Sequence, residues 1–181
     1  MYVMKKLGLI FSLLLINGVA FMAKNEVPDL KGKEVPLKKM VEQKMGLLDY
    51  KVLDLTEKEV SLKEIMGKHD AIALEFWASW CGPCMASIPG LLVKANKFKE
   101  RGILVVGMNE EGVLSAKEVK EKKNVNIPWY VEKPDHELSK LLEIRFIPRM
   151  VIISHKGEVI YNDSPSNDRA IEAAFKKAGI Q

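Results

Sequence analysis

Apolar and polar positions alternate along the chain in a way that separates it into distinct stretches. The first, Leu7 to Met22, is a nearly unbroken apolar run that comes after Lys5 and Lys6 and ends at Lys24. A basic start leading into such a run is a signal-type segment. It also approaches the roughly 17–25 residues that a membrane span needs. Gly18-Val19-Ala20 offers a small-x-small cleavage site, whereas Asn17 and Gly18 interrupt an anchor. Residues 1–23 are therefore a cleaved signal peptide or an uncleaved anchor. Both fates export the remainder of the chain and leave Lys5 and Lys6 on the cytoplasmic side.

Residues 24–47 are a linker in this reading. Pro28, Gly32 and Pro36 break it, and Leu37, Met40, Val41, Lys44 and Met45 give one short helical pattern ending at Gly46. From residue 48 to 181 the periodicities of a folded domain take over. Tyr50 to Leu62 predicts a hairpin about the polar turn Thr56-Glu57-Lys58-Glu59, and Ser61 with Glu64 fits a capping box for a helix over Leu62 to Met66. Ala71 to Phe76 and Ile103 to Met108 are short apolar runs, which predict buried strands. Between them, Ile88, Leu91, Leu92, Ala95 and Phe98 recur at helical spacing and predict a helix over Met85 to Lys99. Further helices are predicted over Ser115 to Lys123, over Asp135 to Ile144 with Leu138, Leu141 and Leu142 inward, and over Arg169 to Ala178 with Ile171, Ala174, Phe175 and Ala178 inward. The last is capped by Ser166-Asn167-Asp168. Ile127 to Val131, Pro148 to Ile153 and Glu158 to Tyr161 are the remaining extended segments. Strands alternating with helices, then a final hairpin and helix, give an α/β sandwich with a mixed central sheet.

Composition changes little in this picture. Apolar residues make up 48% of the chain, ample for a core, and the net charge is +4, of which Lys5 and Lys6 supply two. The other lysines and glutamates are interspersed, with no basic patch for a nucleic acid.

The chemistry concentrates in Trp77-Ala78-Ser79-Trp80-Cys81-Gly82-Pro83-Cys84, which holds the only two cysteines. A Cys-x-x-Cys at a strand-to-helix junction reads as a redox-active dithiol. Cys81 at the helix N-terminus meets unpaired N–H groups and the positive end of the dipole, both of which stabilise a thiolate. Pro83 is tolerated in the first turn, and Cys84, one turn in, faces the core. Three other readings compete. A zinc half-site lacks its remaining ligands, because His69, His136 and His155 are scattered. A purely structural disulfide closing so short a loop constrains the unfolded chain little. Two buried inert thiols fit poorly with neighbours such as Trp80 and Gly82-Pro83, which suit exposure. Disulfides persist outside the cytoplasm, so a lone exported pair favours catalysis over a framework.

The octet resembles the active-site signature of thioredoxins, and Phe76 to Pro89 resembles the extracytoplasmic TlpA/ResA type. Two further stretches are similar to the same family: Glu111 to Lys133, which matches its strand-helix insertion, and Glu143 to Ile153 around Ile147-Pro148. The resemblance spans roughly residues 48 to 178. It implies a thioredoxin-like fold with an N-terminal β-hairpin, a cis Ile147–Pro148 bond facing the dithiol, and a docking rim of Trp80, Gly82, Pro83, Ile147 and Pro148. The chain departs from the family in two places. Glu75 stands six residues before Cys81, where thioredoxins carry a buried acid. TlpA-type proteins place their acid three residues after the second cysteine, and here that position is Ser87. The lysine that pairs with the acid in thioredoxin falls near Gly107, which cannot replace it. Glu75 is either a buried acid that exchanges a proton with Cys84 through a water or a strand-end glutamate reaching solvent. Arg149 replaces the family's usual threonine after the proline, as a cation beside the dithiol or a solvated rim residue.

The expected function is a thiol–disulfide oxidoreductase working outside the cytoplasm as a protein-disulfide reductase. Cys81 is the nucleophile, Cys84 the resolving thiol and Glu75 the proton carrier. No cofactor beyond the Cys81–Cys84 disulfide and no metal is expected. The resemblance implies disulfide-containing exported proteins as substrates, apocytochrome c among them, and a membrane thiol transporter of the DsbD/CcdA kind as electron donor; a monomer is the expected working unit. Other classes stay open: a general extracytoplasmic oxidant or isomerase, a copper-handling protein related to the Sco type (whose Cys-x-x-x-Cys is one residue longer), and a non-catalytic binding module. The Pro-x-x-x-Thr-x-x-Cys pattern of peroxiredoxins is absent.

Overall fold

The computed structural model describes residues 46–181. The predicted signal segment and the helical pattern of Leu37 to Met45 lie outside them. No helix among the described residues is long and apolar enough to cross a membrane.

The chain enters through a short 3-10 turn, Leu47–Asp49, then forms β1 (Lys51–Leu53), β2 (Glu59–Ser61) and α1 (Leu62–Met66). The predicted capping box is present. Ser61 Oγ accepts from the Glu64 amide at 3.1 Å, and Glu64 Oε2 accepts from the Ser61 amide at 2.8 Å. Such a cap contributes about 1 kcal/mol, enough to start a helix of little more than one turn. Next come β3 (Ala71–Trp77), α2 (Gly82–Lys99), β4 (Ile103–Asn109), α3 (Val113–Lys122), β5 (Trp129–Val131), α4 (Glu137–Leu141), β6 (Arg149–Ser154), β7 (Val159–Asp163) and α5 (Asp168–Ala178).

The strands make one seven-stranded sheet in the order β2-β1-β5-β4-β3-β6-β7. β3 pairs parallel to β4 and antiparallel to β6, and β4 pairs parallel to β5. Every residue of β3 is buried, as expected of a central strand covered on both faces. Side chains alternate across the sheet. Ala71, Ala73 and Trp77 join the core beneath α2, α3 and α5, with Ile88, Leu91, Phe98, Ile171 and Phe175. Ile72, Leu74 and Phe76 join the opposite core with Leu62, Ile65 and Leu138.

Three expectations are corrected. α4 does not run from Asp135 to Ile144. His136 enters it with φ 50° and Glu143 leaves it with φ 54°. The Ile144 amide then turns back to the Ser139 carbonyl at 2.9 Å, the closing bond of a Schellman-type end. The shorter helix leaves Leu138 and Leu142 buried but Leu141 43% exposed. At the far end of α5, Ala178 is exposed, because Gly179 (φ 73°) caps the helix just beyond it and turns the chain away. Finally, the helix read over Met85 to Lys99 starts three residues earlier, at Gly82, with Cys81, already expected at the helix N-terminus, as its N-cap.

Candidate active site

β3 and β6 deliver the site to one end of the sheet. Phe76 pairs with Arg149 in the antiparallel register, so Pro148 comes directly at the end of β3 where the Trp77–Cys84 segment departs. The Ile147–Pro148 bond is cis, as the resemblance implied. Ile147 packs against both cores, one of which contains the two cysteines.

Cys81 and Cys84 are joined as a disulfide. The Cys84 amide donates to Cys81 Sγ at 3.2 Å, the contact expected of an N-capping sulfur at the start of a long helix. Both cysteines are buried, Cys81 at 4% and Cys84 at 2% exposure. The expectation that Cys81 is exposed is thereby corrected. The bond to Cys84 draws its sulfur onto the helix end, while the rim around it carries the exposure. Trp80 is 71% exposed, and Gly82 and Pro83 are exposed as well. A Cβ on Gly82 would meet nothing within 4 Å.

Glu75 lies on the β3 face that carries the cysteine cluster, and it is 2% exposed. The solvent-reaching alternative is thereby excluded. Burial pushes its carboxyl up to about 7, opposed by a hydrogen bond from Ser87 and by the charge of Lys94. Ser87, which occupies the family's other acid position, is the residue that touches it. The Ser87 hydroxyl stands 2.9 Å from the Cys84 carbonyl and 3.4 Å from Glu75 Oε1. It holds one hydrogen and so serves one of these acceptors at a time. The β3–β4 register sets Glu75 against Gly107, so the neighbouring strand offers it no side chain at that position.

Arg149 is not a free cation at the dithiol. Its guanidinium donates to Asn162 Oδ1 at 2.8 Å and to Asp163 Oδ1 at 3.1 Å, and it stacks 5.0 Å from the Phe146 ring. It ties β6 to β7 beneath the proline loop.

A residue that sequence reasoning missed is Glu111. Its carboxylate accepts from the Ser79 amide, from the Ser79 hydroxyl at 2.8 Å and from the Ser115 hydroxyl at 2.9 Å. Burial raises its pKa, but these hydrogen bonds outweigh that and hold it below the ordinary range. The loop that presents it is shaped by Asn109, whose Oδ1 accepts from the amides of Glu111 and Gly112 at 2.8 and 2.9 Å. An asparagine ending an apolar strand signals such an Asx turn. The partner at Ser79, 32 residues away, leaves no local signal.

Comparison with known proteins gives the same picture. The Redoxin family matches residues 22–178. The chain is 27% identical over 168 residues to the thiol-disulfide oxidoreductase ResA of Bacillus cereus, covering 87% of this chain and 88% of that protein. Among solved structures it resembles a putative thiol:disulfide interchange protein DsbE from Chlorobium tepidum, at 24% identity and a TM-score of 0.61, over 74% of this chain and 94% of that one. It also resembles a secreted disulfide oxidoreductase of Mycobacterium tuberculosis, at 20% identity and a TM-score of 0.55, over 74% and 97% of the two chains. A mixed sheet with a capped Cys-x-x-Cys at the end of its central strand defines a thioredoxin-like disulfide oxidoreductase. The chain belongs to the redoxin family and, within it, to the TlpA/ResA type of thiol–disulfide oxidoreductase.

Proposed function

We propose that this protein reduces disulfide bonds in exported proteins, with Cys81 as nucleophile, Cys84 as resolving thiol and Glu75 as proton acceptor. The observation that carries the reading is the Cys84 amide donating to Cys81 Sγ at the start of α2. A sulfur so placed is stabilised as the thiolate, the attacking species. The thiolate attacks one sulfur of the partner's disulfide, forms a mixed disulfide and expels the partner's other sulfur as a thiolate. The Cys84 thiol then passes its proton to Glu75 and attacks Cys81 Sγ, which releases the second partner thiolate and closes the 81–84 disulfide. Two electrons leave the dithiol, and the partner's two sulfurs take them up with two protons.

Trp80, Gly82, Pro83, Ile147 and Pro148 form the surface on which the partner docks. Export is inferred from the basic and apolar character of residues 1–23, and it agrees with a solved neighbour described as secreted. The family resemblance singles out apocytochrome c as substrate and a DsbD/CcdA-type membrane thiol transporter as electron source.

The test uses an oxidised peptide bearing Cys-x-x-Cys-His, the haem-attachment motif. The reduced protein should open its disulfide in stoichiometric amount. Cys84→Ser should stall as a covalent mixed disulfide, and Cys81→Ser should do neither. Failure of the reduced protein to open that disulfide, or of Cys84→Ser to trap the peptide, contradicts the reading.

A further inference from the structure

On the sheet face beneath α2, three buried side-chain polar atoms have no hydrogen-bond partner among the described residues: Glu75 Oε2, Trp77 Nε1 and Trp129 Nε1. Glu75, Gly107 and Trp129 are successive neighbours across β3, β4 and β5. Trp77 lies two residues beyond Glu75 on the same face. The pyrrole edge of Trp129 covers Gly107 so closely that a Cβ there would fall 2.6 Å from its Cδ1 and Nε1. The Trp77 and Trp129 rings pack at a centroid distance of 4.3 Å. Lys120 holds Trp129 from outside. Its ammonium sits 5.7 Å from the ring centroid and donates to the carbonyls of Val125 and Ile127 at 2.9 and 2.6 Å.

The three atoms are two donors and one acceptor. A single water accepts from two N–H groups and donates to one carboxylate oxygen, three bonds of the kind that hold an internal water in place. We propose that Trp129, seated over Gly107, is a positioning residue for Glu75, and that with Trp77 it supplies this carboxyl with indole N–H donors through one shared internal water. The pair does for Glu75 what a cation on β4 would do. Hydrogen bonds that reach the charged form favour it, and they hold the acid where it can take the Cys84 proton near neutral pH. This rests on the dithiol reading above.

Among the described residues, the groups that face Glu75 are few. From α2 come Cys84, Ser87 and Lys94, the last engaged with Asp168 of α5. β4 offers Gly107, β5 offers Trp129 with Lys120 behind it, and β6 offers Met150. In the closed disulfide neither cysteine titrates, so Glu75 is the acid to watch.

The test is 15N NMR of the three indole N–H groups in the full chain, oxidised, from pH 5 to 9. The Trp77 and Trp129 resonances should move together with one midpoint, and that of exposed Trp80 should not move with them. In Glu75→Gln both should be flat. In Trp129→Phe, which keeps the ring over Gly107 but removes the donor, the Trp77 midpoint should rise by about one pH unit, tenfold in the dissociation constant of the acid. Should Trp129→Phe not fold, Trp77→Phe read at Trp129 gives the same comparison. Resonances that are flat in the parent chain, that titrate unchanged in Glu75→Gln, or whose midpoint ignores the loss of an indole donor overturn the proposal. No partner protein takes part, so a chain that reduces no disulfide can still pass this test, and an active reductase can fail it.

Discussion

Glu75→Gln should stabilise the oxidised protein at alkaline pH. In the unfolded chain this carboxyl titrates near its ordinary value of 4.5, whereas burial raises it to about 7 in the fold. Each pH unit of difference is worth about 1.4 kcal/mol. The folded state therefore holds the proton more tightly, and stability is greatest below the unfolded value. It falls as pH rises from 4.5 through 7 and is then lower by about 3 kcal/mol. The side chain is almost fully enclosed, so solvent screening removes little of this. Glutamine has the same shape and does not ionise. The variant should match the parent near pH 4 and exceed it by up to about 3 kcal/mol at pH 8 to 9, roughly 6–12 °C in thermal midpoint for a chain of this size. The assay is urea and thermal unfolding of both proteins with the disulfide intact, at intervals from pH 4 to 9. The same substitution should slow the Cys84-dependent step at least tenfold, since positioned acid–base groups contribute about 10²–10⁴. Parallel stability curves for the two proteins, or equal exchange rates across pH 6–9, would refute the reasoning.

Other perturbations separate positioning from packing. Arg149→Thr should lose about 1 kcal/mol of stability with its contacts to Asn162 and Phe146 and leave the Cys81 pKa unchanged; a rise of that pKa in a thiolate titration would restore the electrostatic role. Gly107→Ala places a Cβ 2.6 Å from the Trp129 ring and should destabilise by about 1–3 kcal/mol in chemical unfolding; a neutral result would mean the ring is free to move. Glu111→Ala should release the Ser79 amide, with faster hydrogen exchange there and a loss of about 1 kcal/mol. Unchanged protection at Ser79 would show that the carboxylate does not pin the loop.

Where a signal was local, the chain could be read directly. The capping box at Ser61 and Glu64, the buried run of β3 and the Cys-x-x-Cys junction each announce themselves within a few residues, and each stands in the structure where the sequence puts it. The end of α4 did not, because Glu143 adopts a left-handed backbone that nothing in its side chain requires, and the apolar pattern runs on through Ile144. The site divides in the same way. Cys81, Cys84 and Glu75 could be named as candidates from spacing and resemblance. Glu111 and Trp129 could not, because their roles depend on which strands lie side by side. β5 inserts between β1 and β4, and only that order brings Trp129 over Gly107 next to Glu75. The absence of a lysine at Gly107 was visible in the sequence, but the indole ring that covers this glycine was not.

The reduction potential of the Cys81–Cys84 pair, measured against glutathione and thioredoxin standards, tests the reductase assignment most directly. A dithiol that donates electrons to exported substrates should have a value near or below the thioredoxin range, about −270 mV. A value of about −120 to −180 mV would mark an oxidant or isomerase and would contradict the assignment as a reductase.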